Sequence, residues 1–158
     1  MKNLLDTILY IFEEYRKKDE LSTARLVLLV FLIDWKFAIE NERQFTETKW
    51  TYEQFGPFSK DILILIKNKK DIFKIDIIKK SDGMTTERLT LKSNSVIEIK
   101  NFEAKSAADF ILENTYSMTW SEFIQLVFSS YPIISNSKNT QLDLSKDSLR
   151  FKQRKMKT

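Results

Sequence analysis

Apolar side chains recur at helical spacing near the start of the chain. Between residues 3 and 17 they stand at Leu4, Ile8, Ile11, Phe12 and Tyr15, which places them on one face of a helix. The polar run KKDE, residues 17–20, interrupts this pattern. The sequence therefore predicts a first amphipathic helix that is followed by a break.

A second helix is predicted from about residue 24 to residue 41, and either Ser22 or Thr23 can cap its first amides. Its side chains are apolar nearly all round, including the run LVLLVFLI at residues 26–33. A helix without a polar face has to be buried on all sides. We therefore expect this helix at the centre of the fold.

The next segment, Gln44 to Phe55, alternates apolar and polar residues in part, which favours a short strand or an extended connection. Gly56 and Pro57 follow it. Proline disfavours helical geometry at the residue before it, and glycine accommodates a turn there without a side-chain clash. Because proline also fits the first turn of a helix, the pair predicts a sharp turn into the helix PFSKDILILIKNKK, with Asp61 near its start.

Residues 73–91 carry the clearest hairpin pattern in the chain. β-Branched and aromatic residues alternate on both sides of Asp82-Gly83, a dipeptide that suits a tight turn between two strands. This segment therefore predicts an antiparallel β-hairpin.

Three more helices are predicted towards the carboxyl end. One begins near Ser106, one follows the capping box of Thr119 and Glu122 and ends before Pro132, and one is capped by Ser145. The whole pattern predicts a mostly α fold with a small antiparallel β-hairpin (α+β), in a compact single-domain helical bundle. We assign residues 1–145 to this domain and residues 146–158 to a basic helix end or tail.

Composition excludes several kinds of function. The 158 residues include no cysteine and no histidine, which removes disulfides, thiolate metal sites and the usual general base near neutral pH. The acids Asp6, Glu13 and Glu14 do not fit the apolar core of a signal peptide, and the longest apolar run is too short to span a membrane. We expect a cytoplasmic protein without a membrane partner and without a cofactor.

The positive charge is concentrated at the carboxyl end. Residues 146–158 carry six basic residues and one acid, a net +5, whereas the whole chain is +4 and residues 1–145 therefore sum to −1. Lys152, Arg154 and Lys155 could contact phosphates in weak, non-specific binding to nucleic acid. The alternative is a solvated helix end or a frayed terminus.

Two acidic patterns raise the question of catalysis. Asp34 directly follows the apolar run, and burial would require that its carboxylate be paired or hydrogen-bonded. We favour such a structural role over a catalytic one. Asp76, Glu98 and Lys100 resemble the D…ExK arrangement of Mg²⁺-dependent nucleases. This pattern is short and arises easily by chance in such a chain, so we predict no metal site and no catalytic residues.

Aromatic residues are concentrated around the Gly56-Pro57 pair. Trp50, Tyr52, Phe55 and Phe58 could pack in the core, or could anchor a protein partner, where aromatic side chains give large contact area at low entropic cost. A platform for stacking bases is a further alternative. If a binding face exists here, we expect Tyr52 or Phe58 to be exposed.

The stretch LVLLVFLIDWKFAIENERQFTETKWTYEQFGPFSKDI, residues 26–62, resembles the Panacea (SocA-like) antitoxin domain of bacteria and their phages. The shared features are an apolar helix that ends near an acid, here Asp34, and an aromatic residue before a turn of the Gly56-Pro57 type. The Trp-containing segment SMTWSEFIQLVFSSYPI is also similar to this family, and the resemblance covers roughly residues 21–134.

The resemblance implies a non-enzymatic protein of a toxin-antitoxin system that neutralises a protein toxin by binding it. Some members of the family act as adaptors that deliver the toxin to an AAA+ protease, and many are phage-associated proteins. The family's toxins are chemically diverse, so the resemblance does not identify the partner. Asp34, Gly56 and Pro57 carry the structural motif of the resemblance.

Overall fold

In the computed structural model, the apolar second segment forms a long helix through the middle of the molecule. The structure describes residues 1–93 and 97–157. The helices are α1 (Lys2–Glu14), a 3-10 turn (Lys18–Glu20), α2 (Thr23–Asn41), α3 (Lys60–Asn68), α4 (Phe102–Thr115), α5 (Trp120–Phe128), α6 (Tyr131–Ser135) and α7 (Leu144–Met156). The strands are β1 (Trp50–Glu53), β2 (Gly56–Phe58), β3 (Phe73–Lys79), β4 (Thr85–Leu91) and β5 (Thr140–Leu142).

The central position predicted for α2 is confirmed. The helix packs against α1, α4, α7, β2 and β4, and its side chains from Arg25 to Trp35 are all buried. The hydroxyl oxygen of Ser22 accepts a hydrogen bond from the amide of Arg25, which makes Ser22 rather than Thr23 the cap. The predicted mostly α fold with a small antiparallel β-hairpin (α+β) is confirmed as well.

Two small antiparallel sheets accompany the helices. In the first, β1 lies between β2 and β5, and Tyr52 is opposite both Pro57 and Thr140. The second consists of β3 and β4 alone, with a register that runs from Phe73 opposite Leu91 to Lys79 opposite Thr85. The hairpin predicted around Asp82-Gly83 is confirmed by this second sheet.

The predicted helix start at Pro57 is wrong. Pro57 belongs to β2, and α3 begins three residues later, at Lys60. Since β2 is an edge strand, the amide hydrogen that proline lacks is not required by a second neighbouring strand. The pair Gly56-Pro57 therefore continues a hairpin that sequence patterning alone did not reveal. Asp61 does lie in the first turn of α3.

Two other helices begin earlier than predicted, because an amide or a carboxylate side chain caps each helix before the predicted start. Asn101 accepts a hydrogen bond from the amide of Ala104, so α4 begins at Phe102 rather than near Ser106. Asp143 accepts one from the amide of Lys146, so α7 begins before Ser145. The predicted capping box of α5 is confirmed, and this helix ends at Phe128, before Pro132.

Among the residues that the structure describes, none of the helices combines the length and the apolar character that a membrane span requires.

Candidate partner-binding surface

Asp34 joins the central helix to the chain segment that follows it. Its carboxylate is fully buried, and one oxygen accepts a hydrogen bond from the Thr46 amide at 2.9 Å. The other oxygen accepts bonds from the Thr46 hydroxyl at 2.6 Å and from the Trp50 indole N–H at 2.9 Å. The bonds therefore hold the irregular segment before β1, and the first residue of β1, against α2.

Burial is the main influence on the acidity of Asp34. Removal from water raises the pKa of its carboxyl from 3.8 to about 6, although the hydrogen bonds from Thr46 and Trp50 favour the charged form and oppose the rise. At neutral pH the group is therefore an acceptor with hydrogen bonds to both of its oxygens. This arrangement suits an anchoring role for the side chain.

The four aromatic residues around the hairpin of β1 and β2 lie in different environments. Trp50 is 1% exposed and packs edge-on against Phe31, with 5.4 Å between ring centres, and Tyr52 is buried on the same side of the strand. Phe58 is half-buried, whereas Phe55, in the turn between the strands, is 83% exposed.

These positions correct the expectation that Tyr52 or Phe58 would be the exposed aromatic residue. Side chains two residues apart on a strand share one face, so Trp50 and Tyr52 both point towards the core. Phe55 lies in the turn between the two strands, where the alternation of faces along a strand does not apply. Trp50 is consequently unable to contact a partner directly, and Phe55 is the large aromatic side chain that this hairpin presents to solvent.

Contacts with other parts of the chain restrain both strands of this hairpin near the turn. Gly56 adopts a φ of +108°, a conformation that favours glycine, and a β-carbon there would lie 3.4 Å from the ring of Phe128. The Tyr52 carbonyl accepts a hydrogen bond from the Asn139 amide at 2.6 Å. Phe55 therefore projects from a turn between two restrained strands: β2 lies beside α5 at Gly56, and β1 is bonded at Tyr52 to the segment before β5.

A second set of hydrogen bonds connects the segment before β1 to the start of α3. The hydroxyls of Thr48 and Ser59 bond to each other, and the Asp61 carboxylate accepts a hydrogen bond from the Lys49 amide at 2.9 Å. An acid in the first turn of a helix is also favoured by the helix dipole. Together with the Asp34 bonds, these contacts fix both ends of the β1–β2 hairpin.

The basic carboxyl-terminal segment lies in α7, and the proposed domain boundary at residue 145 falls inside this helix. Phe151 contacts Trp35 and Tyr131, with ring centres 5.7 and 5.5 Å apart. Lys152 forms a 2.7 Å ion pair with Glu42, and the Lys155 ammonium group lies 4.8 Å from the centre of the Phe151 ring. The helix is therefore attached to α2 and α6 by aromatic packing, and part of its charge is compensated. Thr158 lies outside the described residues.

The residues of the nuclease-like pattern are placed in different surroundings. Asp76 lies on β3 and pairs with Lys74 at 3.5 Å. Glu98 and Lys100 lie in the irregular segment before α4, and Asp76 lines neither of the two cavities that Glu98 lines. Ser95 and Val96 of the same stretch lie outside the described residues. Within residues 1–93 and 97–157, no cluster of three or more acids could hold a metal ion.

One polar cluster escaped the sequence analysis. The Tyr10 hydroxyl donates a hydrogen bond to the Asp109 carboxylate, which also pairs with Lys105 at 2.7 Å. Burial and this bond raise the pKa of Tyr10 to about 12, and hydrogen bonds to Asp109 and Tyr10 raise that of Lys105. The four-residue spacing of Lys105 and Asp109 could have indicated an ion pair on one helix face. The contact of this pair with Tyr10 of α1 depends on packing and leaves no pattern in the sequence.

Comparison with known proteins shows which family the chain belongs to. A family model described as "Antitoxin SocA-like, Panacea domain" matches residues 26–132. The chain belongs to this family. No curated protein and no solved structure matches the chain. The matched range includes almost all of α2, both hairpins and the β1–β2 turn, so the Panacea domain contains Asp34, Phe55 and Gly56. The resemblance predicted from residues 21–134 is confirmed.

Proposed function

We propose that this Panacea-domain protein is a non-enzymatic antitoxin that binds a protein toxin and neutralises it. The observation that carries the proposal is the family match over residues 26–132, which indicates a role related to toxin-antitoxin systems. The absence of cysteine and histidine from the sequence agrees with a binding function, since it removes the side chains most used as nucleophile and general base.

The contact surface that we propose is the tip of the β1–β2 hairpin, with Phe55 as its anchor, and it extends along β2 to the half-buried Phe58. Exposure of a phenylalanine side chain to water is unfavourable, and an exposed aromatic residue on a well-held base is a common feature of protein interfaces. The hydrogen bonds around Asp34 and Asp61 reduce the freedom that the hairpin would lose when a partner binds. Trp50 and Tyr52 support this surface from the core.

Neutralisation can follow two routes, and we propose direct inhibition as the first of them. In direct inhibition the bound antitoxin blocks the toxin stoichiometrically. In delivery, as in the adaptors to which the family resemblance points, the complex is handed to an AAA+ protease and the toxin is degraded. The two routes differ in whether a protease is needed.

A growth-rescue experiment tests the proposed function. The products of open reading frames that neighbour this gene are expressed one by one from an inducible promoter, with and without this chain. We expect one product to stop growth and co-expression of this chain to restore it. Rescue that persists in a strain lacking AAA+ proteases indicates direct inhibition, and rescue that disappears there indicates delivery. If no neighbouring product is both toxic and rescued, the proposal is contradicted.

A further inference from the structure

A cavity of about 660 Å³ lies between the start of α2, the 3-10 turn before it and the β3–β4 hairpin. Its walls include two arginines, Arg25 and Arg88, and two apolar side chains, Ile78 and Trp120. It lies on elements other than the β1–β2 hairpin, and the proposed function leaves it unused.

Arg25 is charged and buried without a carboxylate partner. Only 5% of the residue is exposed, and none of the ion pairs among the described residues includes it. Its guanidinium group donates a hydrogen bond to the Tyr15 hydroxyl at 2.9 Å. The group also lies 5.5 Å from the ring centre of Trp120 and 5.1 Å from that of Phe123. These neutral partners hold the cation in place, and its positive charge remains available to an anion.

Arg88 has a hydrogen-bond donor without an acceptor. Its Nε atom is buried, and no described residue accepts a hydrogen bond from it. Asp76 lies directly opposite Arg88 in the strand register, yet the Asp76 carboxylate pairs with Lys74 instead. A buried donor without an acceptor is unfavourable and is rare in native proteins. The side edge of a guanidinium group, which contains Nε, is suited to two parallel hydrogen bonds with a carboxylate.

The charges around the cavity decide which anion fits. Three basic residues line it (Arg25, Lys80 and Arg88), and three acids line it as well (Asp19, Glu20 and Glu87). A cavity with balanced formal charge favours a single negative charge over a phosphate dianion, which the three acids would repel. The planar fork of arginine favours a planar carboxylate, and the apolar wall of Ile78 and Trp120 favours a ligand that also carries an apolar group.

We propose that this cavity is a binding site for a monocarboxylate that carries an apolar group. When the acid binds, the Arg88 side chain turns its covered side edge towards the cavity. The carboxylate accepts hydrogen bonds from this edge and lies in the positive field of Arg25. The apolar group packs against Ile78 and the half-exposed ring of Trp120. A free carboxylic acid and the terminal residue of a peptide share this chemistry. The site is independent of the antitoxin proposal, because it uses neither Phe55 nor the β1–β2 hairpin.

The test uses the full ¹⁵N-labelled chain and two probes of nearly equal shape, one with a carboxylate and one with a neutral amide in its place. 3-Phenylpropionate is titrated while the Nε–H resonance of Arg88 is followed by NMR, and 3-phenylpropanamide serves as the neutral counterpart. We expect saturable shifts with the acid and binding at least tenfold weaker with the amide. Equal shifts with acid and amide, or tighter binding of inorganic phosphate than of the acid, would overturn the proposal. This comparison needs no variant, so it stands even where a substitution impairs folding.

Matched variants locate the site, and here binding of the acid is measured by the shifts of backbone amides at the cavity. Arg88→Gln should weaken 3-phenylpropionate binding at least tenfold, whereas Arg43→Gln, an exposed arginine outside the cavity, should leave it unchanged. Undiminished binding in a folded Arg88→Gln protein would overturn the assignment.

The dipeptide acetyl-Ala-Phe, with a free or an amidated carboxyl end, then shows whether the natural ligand is a small acid or the terminal residue of a peptide. Tighter binding of the free-ended peptide than of 3-phenylpropionate supports a peptide terminus, and the reverse supports a small acid.

Discussion

At the scale of single residues, Asp34 connects positions that are well separated in sequence. The hydrophobic pattern marked it as unusual, because a charge at the end of eight apolar residues has to be compensated. Its partners, Thr46 and Trp50, are 12 and 16 residues away across an irregular connection. No periodicity relates residues across such a segment, so the need for partners was predictable from the sequence and their identity was not.

The raised pKa of Asp34 leads to a prediction about pH. A carboxyl group whose pKa rises from 3.8 to about 6 on folding binds its proton more tightly in the folded state. The contribution of Asp34 to stability is therefore largest below pH 4 and decreases as the pH rises towards 6. Since one pKa unit corresponds to about 1.4 kcal/mol, the decrease is on the order of 3 kcal/mol.

Other carboxylates titrate in the same range, so the measurement is a difference between two proteins. The free energy of unfolding is determined by urea denaturation from pH 4 to pH 7 for the parent chain and for Asp34→Asn. We expect the parent to lose stability relative to the variant as the pH rises, with little further change above pH 6.5. Parallel curves across the whole range would show that the pKa of Asp34 is not raised.

At the scale of elements, the two hairpins show what local sequence can and cannot specify. The β3–β4 hairpin has long alternating strands and a turn of Asp82-Gly83, and both features are local. The β1–β2 hairpin has strands of four and three residues, and β1 is also paired with β5, some 90 residues along the chain. Pairing of this kind leaves no local pattern, and for that reason Gly56-Pro57 suggested a helix start instead.

The two glycines offer a matched pair of substitutions. Both have positive φ, +108° at Gly56 and +85° at Gly83, so alanine at either position should cost about 1–2 kcal/mol of stability through backbone strain. Valine adds a second effect at Gly56 alone, because Phe128 lies beside that position whereas nothing lies within 4 Å of a β-carbon at Gly83. Gly56→Val should therefore cost at least about 1 kcal/mol more than Gly83→Val.

Chemical denaturation of the four variants measures both effects under identical conditions. Equal losses for the two valine variants would show that the Phe128 contact does not restrict the turn. A smaller loss at Gly56 than at Gly83 would contradict the account of the β1–β2 turn altogether.

At the scale of the whole molecule, the sequence predicted the centre of the fold better than its surface. A helix that is apolar all round has few alternatives to a central position, and α2 occupies it. The exposure of Phe55 and the position of Arg25 and Arg88 around one cavity depend on how separate elements pack. Neither could be derived from the spacing of residues within one element.

The basic helix leads to a prediction about nucleic acid. Any affinity of the chain for duplex DNA should be weak, independent of base sequence and steeply dependent on salt, since it would come from phosphate contacts. Replacing Lys152, Arg154 and Lys155 together by glutamine should reduce this affinity at least tenfold. Because the triple substitution retains Phe151, which anchors α7 to α2, the melting temperature should change little.

Exposed lysines near the end of α3 provide the control. Replacing Lys67, Lys69 and Lys70 by glutamine removes the same charge from a different part of the surface. Fluorescence anisotropy with a labelled duplex at 50 and 200 mM salt compares the two triple variants. Equal loss of affinity in both would assign the binding to net charge alone, and no loss in the α7 variant would place a nucleic-acid site elsewhere on the chain.

Two matched alanine variants, at Phe55 and at a second exposed phenylalanine, test whether Phe55 anchors a protein toxin. Phe55 is 83% exposed on the β1–β2 turn, and Phe102 is 78% exposed at the start of α4. The toxin identified by growth rescue is titrated by calorimetry against the parent chain, Phe55→Ala and Phe102→Ala. Melting temperatures are measured on the same samples.

We predict that Phe55→Ala weakens toxin binding by roughly 30-fold or more, about 2 kcal/mol, and leaves the melting temperature nearly unchanged. Phe102→Ala should alter neither quantity. If Phe55→Ala binds the toxin as tightly as the parent chain does, or if Phe102→Ala loses as much affinity, the β1–β2 turn is not the toxin-binding surface.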